Sequence, residues 1–330
     1  MVSPNNSFVH LHGHSHYSLL DGGAPVQRLC ARAVELGMPA LALTDHGNLF
    51  GLVDFYQEAK GLGLKPILGC ELYVAPGSRW DRDAHGIKDA AYHLVVLAKN
   101  QTGYKHLLKL ASLAYLEGLY YRPRVDKELL AHYAEGLIVM NGHLGTEIAA
   151  CLGRNDLSAA VNVAGEYKEM FGRDFFIELQ NHHEPAQVAQ LPQLLEVARR
   201  AGCPVVATND YHYCAAEDYE AHDVLCCISM GKTLDDKDRL HYSRQAYLKS
   251  PLEMRAIFKD WPEACDNTLQ IADRCNLELD FSRRHAPVYT PPVDPHTGRV
   301  PSADDYLRQL CEQGLQRRYG QCDDTLRQRL

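Results

Sequence analysis

Histidines alternate along the first strand-like run of the chain, HLHGHSHYSLLDG, where one residue separates His12 from His14. Every second side chain of an extended backbone points to the same side, so the two imidazoles would face one point. Imidazole is the commonest protein ligand for metal ions, and two buried rings without a shared partner would lose solvation. The spacing therefore predicts that His12 and His14 bind a metal. His10 lies deeper on the same face, and we expect it either to pack in the core or to support a ligand. His16 lies in the loop, where it would face solvent or stand beside a ligand.

Ligand-type side chains also stand at the ends of later apolar runs. Glu71 interrupts the run ILGCELYV, where an unpaired buried charge is costly and a bridging position between two cations would remove that cost. His93 opens HLVVLA, His143 follows GLIVMNG, and Asp210 follows PVVAT, with His212 two residues later. A set of strand-end ligands around one architecture indicates a site for several metal ions.

Asp21 and His46 have competing interpretations. Asp21, in LLDGG, suits an Asp-Gly turn, which from the residues alone is the better interpretation. His46, in TDHGN, could cap the following helix, although its neighbours would do so better. His182 and His183 follow FFIELQN and are candidates for supporting a ligand or contacting substrate. The remaining histidines, His222 among them, are expected to play no part in metal binding or catalysis.

Seven strand-like runs alternate with helical patterns, and several of them are continuously apolar, as in a buried parallel sheet. The runs are FVHLHG (8–13), PALALTD (39–45), KPILGCELYVA (65–75), YHLVVLA (92–98), GLIVMNG (136–142), FFIELQN (175–181) and PVVATND (204–210). Right-handed β–α–β connections leave a doubly wound sheet or a closed barrel. Because ligands follow nearly every run and must meet at one point, we favour a barrel with its site at the C-terminal ends of the strands.

Composition narrows the class of protein. The 330 residues are 46% hydrophobic and carry a net charge of −8, which argues against autonomous tight binding of DNA but leaves a local basic path open. Without a membrane-spanning run or a signal segment, we expect a cytoplasmic protein. Eleven cysteines are scattered without a Cys-x-x-Cys pair, so we expect buried reduced thiols.

The pattern changes after residue 214, where helical segments surround the turn-rich stretch KTLDDKDRLHYS. Residues 283–299 are proline-rich, and a helical pattern then continues to the last residue. We expect residues 1–282 to form the barrel domain. Residues 283–330 would be a linker and the helical start of a further region, in a chain that stops within a helical pattern.

The donor types indicate the chemistry. Imidazoles and carboxylates without thiolate suit zinc, manganese or iron. Closely spaced cations can make a bridging hydroxide nucleophile and hold the oxygens of a phosphoester during displacement. Phosphoester hydrolysis is therefore the expected reaction. The chain has no P-loop, no Gly-x-Ser-x-Gly elbow and no Gly-x-Gly-x-x-Gly.

The motifs HLHGHSHYSLLDG, ALTDHGN, GCELYV, YHLVVLA, NGHLG and VVATNDYHY resemble the successive motifs of the polymerase and histidinol phosphatase (PHP) superfamily. From about residue 8 to the end, the flanking sequence resembles the N-terminal region of the bacterial DNA polymerase III alpha-subunit family; examples are HYSLLDGG, GNLFGLVDFYQEAKGLGLKPILG and NQTGYKHLLKLASLAYLEG. The resemblance implies an α/β fold, a distorted (βα)7 TIM-like barrel with a helical C-terminal extension. This agrees with the seven strand-like runs.

The resemblance also implies three divalent metal ions, with zinc as the first choice and manganese or iron as alternatives. They would be held by His12, His14, Glu71 and Asp210; by Glu71, His93 and His143; and by Asp21, His46 and His212. Glu71 and Asp210 would be the catalytic carboxylates, with a hydroxide between the metals as the nucleophile. All nine positions carry a competent donor, whereas some family members have lost several.

The expected function is a 3′–5′ proofreading exonuclease that acts on a single-stranded 3′ end or a primer terminus of DNA, together with other replicase subunits. The family's polymerase residues lie downstream, so no polymerase active site is expected within this chain. Arg122, Arg124 and Arg79 are candidate phosphate contacts. Two alternatives stay open: a non-catalytic, metal-stabilised scaffold that docks a separate exonuclease subunit, and a free-standing phosphoesterase for a small phosphomonoester.

Overall fold

The computed structural model describes residues 7–84, 86–239, 241–282, 286–321 and 323–330. The chain divides into two compact units, Met1–Glu278 and Leu279–Leu330. The predicted domain boundary between residues 282 and 283 adjoins residues 283–285, which lie outside the described residues, and it stays a prediction. The first unit carries the sheet and all the candidate ligands.

Seven strands of the described chain form one curled sheet. They are β1 (Ala40–Leu43), β2 (Lys65–Val74), β3 (Tyr92–Ala98), β4 (Arg124–Val125), β5 (Leu137–Asn141), β6 (Phe175–Gln180) and β7 (Val205–Thr208). Their order is β1-β2-β3-β5-β6-β7, and β4 pairs with β2 beside this path. The apolar runs that predict strands are buried along nearly their whole length. Helices cover the outer face of the sheet, and its inner face lines the barrel interior.

Strand β3 runs antiparallel to both of its neighbours, β2 and β5, whereas the other strand pairs are parallel. The prediction of an all-parallel sheet is therefore wrong at this strand. Within the described residues, the connection from β2 to β3 carries a one-turn helix, α3 (Ile87–Ala90), because an antiparallel neighbour needs no crossover to the opposite edge. The first residues of β3 thus lie at the same rim as the last residues of β2, with His93 opposite Tyr73.

The run predicted as the first strand, residues 8–13, joins the two ends of the sheet without forming a regular strand. Single bridges pair His10 with Leu41 of β1 and Gly13 with Tyr211, which follows β7. The Ala42 N–H donates to the carbonyl of His10 at 2.9 Å, and the His14 N–H donates to that of Tyr211 at 2.8 Å. The expected distorted barrel is confirmed, with this irregular segment in the place of its first strand.

Helices surround the sheet in the first unit. They are α1 (Val26–Glu35), α2 (Leu52–Gly61), α3, α4 (Gln101–Leu116), α5 (Lys127–His132), α6 (Glu147–Gly153), α7 (Leu157–Phe171), α8 (Pro185–Ala201), α9 (Tyr219–Met230), α10 (Pro251–Ile257) and α11 (Pro262–Arg274). Several begin at a side-chain cap; Asn100, for example, accepts from the Gly103 N–H. The cysteines that the structure describes are free, and all but Cys311 are buried.

The second unit is helical where it is regular. Residues 286–302 contain neither helix nor strand, and α12 (Ala303–Tyr319) and α13 (Asp324–Gln328) follow. The side chains of Ser302 and Asp323 cap these two helices. Among the helices of the described chain, none combines the length and apolar character needed to cross a membrane.

Candidate metal centre

Glu71 lies at the middle of a cluster of histidines. Strand β2 carries it into the barrel, where its side chain is only 1% exposed. Its Oε1 lies 2.8 Å from His93 Nδ1 and 3.0 Å from His143 Nε2. Its Oε2 faces three further ring nitrogens: His46 Nδ1 at 2.7 Å, His14 Nε2 at 3.3 Å and His12 Nε2 at 3.5 Å. A carboxylate whose two oxygens face different sets of imidazoles has the arrangement of a bridging ligand.

Asp210 adds a second carboxylate beside the first pair of histidines. Its Oδ1 lies 3.0 Å from His14 Nε2 and 3.3 Å from His12 Nε2. The residue follows β7 with φ at +45°, a left-handed backbone that few non-glycine residues adopt. The preceding Asn209 fixes this turn, because its side-chain amide donates to two backbone carbonyls in the segment 245–247.

Asp21, His46 and His212 form the third part of the cluster. Asp21 Oδ2 lies 3.0 Å from His46 Nε2. The rings of His46 and His212 lie 4.0 Å and 4.4 Å from the ring of His14. The Nδ1 of His212 donates to the Asp210 carbonyl at 2.9 Å, which leaves its Nε2 as the unprotonated nitrogen.

Buried polar atoms that lie close to one another without making a hydrogen bond converge in this cluster. Among the described residues they include Nε2 of His12, His14, His143 and His212, Nδ1 of His46, Oε2 of Glu71 and Oδ1 of Asp210. Polar atoms buried without a hydrogen-bond partner are costly unless something else satisfies them. Nitrogen and oxygen donors without thiolate are ligands that divalent metal ions accept. The residues present therefore fit bound divalent metal ions.

Both carboxylates at the centre are held ionised. Burial raises the pKa of Glu71, but the nearby His46, His93 and His12 outweigh it and leave the pKa well below its ordinary value. Burial opposes ionisation of Asp210 as well, and His12 and His212 lower its pKa below the ordinary range. The two anionic side chains supply the negative charge that a group of cations requires.

Glu178 supports the centre and was missed in the sequence. It lies in β6, fully buried, and its Oε1 is 2.7 Å from His12 Nδ1. The hydroxyl of Thr208 donates to the same oxygen at 2.5 Å. The Nδ1–H of His12 therefore donates to this carboxylate, and Nε2 faces Glu71 and Asp210. Glu178 interrupts the apolar run FFIELQ as Glu71 interrupts its own, so the same reasoning could have found it.

His14 and Asp21 have supporting partners of the same kind. Ser18 Oγ lies 3.0 Å from His14 Nδ1 and donates to Asp45 Oδ1 at 2.7 Å. His222 is buried, and its Nε2 donates to the backbone carbonyl of Asp21 at 2.6 Å. The expectation that His222 plays no part is therefore corrected. Only the fold, which brings α9 against the loop that carries Asp21, places it there.

The supporting histidines predicted from the sequence differ in their positions. His10 is buried with Nε2 donating to a backbone carbonyl at Lys249, and burial lowers its pKa to about 4. His182 is buried too and donates to the carbonyl of Asn209, directly before Asp210. His16 and His183 are exposed. His10 and His182 thus hold backbone near the ligands.

The three candidate arginines also differ. Arg124 is buried, and its guanidinium donates to the carbonyls of Gly118, Ala90, Arg79 and Asp81. Because the guanidinium is buried and bonded to these carbonyls, the prediction that Arg124 contacts a phosphate is wrong. Arg79 pairs with Asp126 and Glu117. Arg122 is exposed, with its guanidinium 5.4 Å from the ring centroid of Tyr73, whose ring in turn lies 5.0 Å from that of His93.

The fold and the cluster together define a barrel with a histidine- and carboxylate-rich candidate metal centre at one rim. A family model described as "PHP domain" matches residues 10–182, and the chain belongs to this family. The chain is 45% identical over 325 residues to DNA polymerase III subunit alpha of Treponema pallidum, covering 98% of this chain and 27% of the relative. The subunit of Thermus aquaticus is 45% identical over 320 residues, covering 94% and 26%.

The chain therefore spans about 27% of the length of the curated relatives it matches. Among solved structures, it is similar to one from Bifidobacterium adolescentis assigned as a metal-dependent phosphoesterase. The TM-score is 0.41 at 14% identity, and the match covers 62% of this chain and 88% of the other.

Proposed function

We propose that this chain is the N-terminal PHP domain of a bacterial DNA polymerase III alpha subunit and that its centre hydrolyses phosphodiester bonds at DNA 3′ ends. The activity would be that of a 3′–5′ proofreading exonuclease. One observation carries the proposal: nine donor side chains from distant parts of the chain meet at one rim, and most of their inward-facing atoms lack a hydrogen-bond partner.

The donors group into three adjoining sets around Glu71. His12, His14, Glu71 and Asp210 would hold one divalent ion; Glu71, His93 and His143 a second; Asp21, His46 and His212 a third. Zinc is our first choice of metal, with manganese and iron as alternatives. Bound divalent ions would lower the pKa of a coordinated water and neutralise charge on the phosphate.

The chain's own residues prepare this site in two ways. Glu71 and Asp210 are ionised because histidines surround them, so they need not lose protons before they bind cations. Hydrogen bonds that His12 and His14 donate to Glu178 and Ser18 fix the orientations of the two rings. At the open side, the exposed guanidinium of Arg122 is available to a phosphate of the substrate.

The alternatives make different use of the same centre. In a scaffold, the metals would stabilise the barrel and a surface would dock a separate exonuclease subunit. A free-standing phosphoesterase would act on a small phosphomonoester. The complete donor set favours catalysis over a scaffold, and similarity to polymerase subunits over almost the whole chain favours DNA and replicase partners in the cytoplasm over a small substrate. Residues 283–330 would then lead into the polymerase region.

The test begins with the 330-residue chain stripped by a chelator and reloaded with zinc, manganese or iron. It is given a 5′-labelled single strand, a 3′-recessed primer–template and a small phosphomonoester. We expect stepwise shortening from the 3′ end that Asp210→Asn abolishes. Asp174→Asn, which changes a carboxylate that pairs with Lys99 and Arg274 outside the centre, is the matched control.

Each alternative has its own outcome in this experiment. Hydrolysis of the monoester alone would identify a small-molecule phosphatase. Metal binding without turnover on any of the three substrates would identify a scaffold. Shortening that survives in Asp210→Asn would contradict the proposed centre.

A further inference from the structure

The candidate metal centre is largely buried and opens to the surface on one side. Its most exposed ligands mark that side. The side chains of His93 and Asp21 are 30% and 28% exposed, whereas those of His12 and His14 are fully buried. A substrate must therefore approach past His93 and Asp21. Three loops border this mouth: residues 17–20 before Asp21, residues 47–51 after His46, and residues 120–123.

The three loops hold one another in place. The Asn48 side-chain amide donates to the carbonyls of Tyr17 and His46, at 3.0 Å in each case. Gly47 packs so closely against the third loop that a Cβ there would lie 2.9 Å from the Tyr73 ring and 3.0 Å from Pro123. The mouth is thus a continuous border whose parts are positioned relative to the ligands.

This border exposes apolar side chains. Leu19 is 71% exposed, Leu20 47%, Phe50 62% and Tyr121 56%; we call these four residues the apolar rim. Exposed apolar side chains on adjoining loops beside a site, instead of being scattered singly over the surface, indicate a surface that contacts a ligand. Arg122 follows Tyr121 and adds a positive charge, while Asp54 on α2 is paired with the Tyr17 hydroxyl.

Two members of the rim have a backbone that bulky residues rarely adopt. Leu20 has φ at +60° and Tyr121 has φ at +57°. Tyr121 stands at the tip of a tight turn in which the Tyr120 N–H donates to the carbonyl of Arg122 at 3.1 Å. Glycine would suit both positions better. Large side chains kept in strained backbone beside a site are a reason to infer that the side chains are used there.

We infer that the apolar rim binds the unpaired nucleotides at the end of a single DNA strand. This inference rests on the proposed function and specifies its substrate. Nucleobases stack on exposed aromatic and apolar surfaces irrespective of sequence, whereas a small phosphomonoester offers nothing for such a surface to bind. One neighbouring arginine suits one phosphate, and a net charge of −8 argues against autonomous tight binding of a duplex.

The experiment measures binding separately from hydrolysis. Metal-loaded chain is titrated, with fluorescence anisotropy as the readout, against a labelled single strand whose last linkages are phosphorothioates and against a blunt duplex of the same sequence. We expect the single strand to bind more tightly than the duplex. Leu20→Gly and Tyr121→Gly should each weaken binding of the single strand about 10-fold, because each removes a stacking surface. Neither should lower the melting temperature, because glycine relieves the left-handed backbone.

Matched controls separate this role from general effects. Leu252→Ala removes an exposed leucine on α10, and Asn155→Gly relaxes another left-handed residue outside the rim. Both should bind the single strand like the unchanged chain. Equal binding by the rim variants and the unchanged chain would overturn the inference, as would tighter binding of the duplex.

The two proposals can fail independently. If the strand binds, the rim variants weaken binding and no substrate is hydrolysed, the inference stands and the exonuclease proposal falls. If an unmodified strand is shortened and the rim variants leave both its KM and its binding unchanged, the exonuclease proposal stands and the inference falls. A KM increase that is as large for a small phosphodiester as for the strand would also overturn the inference.

Discussion

Three of the histidines at the rim have a ligand nitrogen facing inward because the other ring nitrogen is occupied. For His12 the partner is the Glu178 carboxylate, for His14 the Ser18 hydroxyl, and for His212 the backbone carbonyl of Asp210. Such partners fix the tautomer and the ring orientation before a metal arrives. The charge of Glu178 also makes the His12 ring a stronger donor. The centre therefore depends on residues that do not face a metal.

Glu178→Gln tests this dependence. Glutamine keeps the shape of the side chain but removes the charge that favours a proton on His12 Nδ1. We expect metal affinity to fall by about 10- to 100-fold, measured by competition with a chromogenic chelator. In the metal-free chain, at a pH above the raised pKa of His12 where the ring is neutral, its ¹⁵N shifts should show a smaller population of the Nδ1-protonated tautomer.

Glu196→Gln is the control for this substitution, since it changes a carboxylate that pairs with Arg199 and Arg200 on the outer side of α8. It should leave metal affinity unchanged. Equal affinities of Glu178→Gln and the unchanged chain would show that the hydrogen bond to His12 has no part in metal binding.

The residue pattern alone could predict part of this site. Glu71 was recognisable because a carboxylate within an apolar strand needs a partner. Glu178 shows the same pattern, but the pattern does not tell a ligand from a residue that orients one. His222 lies on a helix with no local sign of its role, and its contact with the Asp21 backbone exists only after α9 packs. Long-range packing decides these two roles.

At the scale of elements, β3 shows what hydrophobic periodicity leaves open. A buried apolar run has the same pattern in either direction, so the run YHLVVLA predicts a strand but not its orientation. The position of His93 does contain that information. A ligand at the first residues of a strand can meet ligands at the last residues of neighbouring strands only if the strand runs antiparallel to them. The register of His93 opposite Tyr73 has this geometry.

The segment that closes the barrel also positions two ligands, and Gly13 lies between them. A Cβ at Gly13 would lie 2.1–2.3 Å from atoms of the Tyr211 ring, which is itself buried. Gly13→Ala should therefore push the segment away from β7 and lower the free energy of unfolding by about 1–3 kcal/mol, the range for overpacked cores. Urea unfolding of the metal-free chain measures this loss.

Gly61→Ala is the matched control for Gly13→Ala, because a Cβ at this helical position in α2 meets nothing within 4 Å. It should leave stability unchanged or raise it by about 0.5–1 kcal/mol. If Gly13→Ala unfolds at the same urea concentration as the unchanged chain, the close contact with Tyr211 does not constrain the barrel.

At the scale of the whole molecule, the centre brings together donors from distant parts of the chain. Its donors run from His12 to His212, and they belong to the closing segment, to strands in the middle of the sheet and to the turn after β7. Metal ions that bind the folded chain and not the unfolded one stabilise it by mass action. Without bound metals, the same donors form a buried group of histidines and ionised carboxylates. Protons that bind the histidines can partly neutralise the negative charge of this group.

Removal of the metals should therefore lower the melting temperature, and more so at about pH 8 than at about pH 6. Burial lowers the pKa of His12 and His46, but nearby carboxylates, chiefly Asp210 for His12 and Glu71 for His46, raise both pKa values well above 6.5. In the metal-free chain, protonation of these rings thus contributes stability that is complete below pH 6.5 and is lost as the pH rises through the raised pKa values. Metal binding needs the unprotonated rings, so its contribution to stability grows over the same pH interval.

Calorimetry of stripped and reloaded chain at both pH values measures the difference, with Asp210→Asn expected to show a smaller gain in melting temperature at each. A gain on reloading that is equal at both pH values, or larger at the lower one, would contradict competition between protons and metal at these histidines.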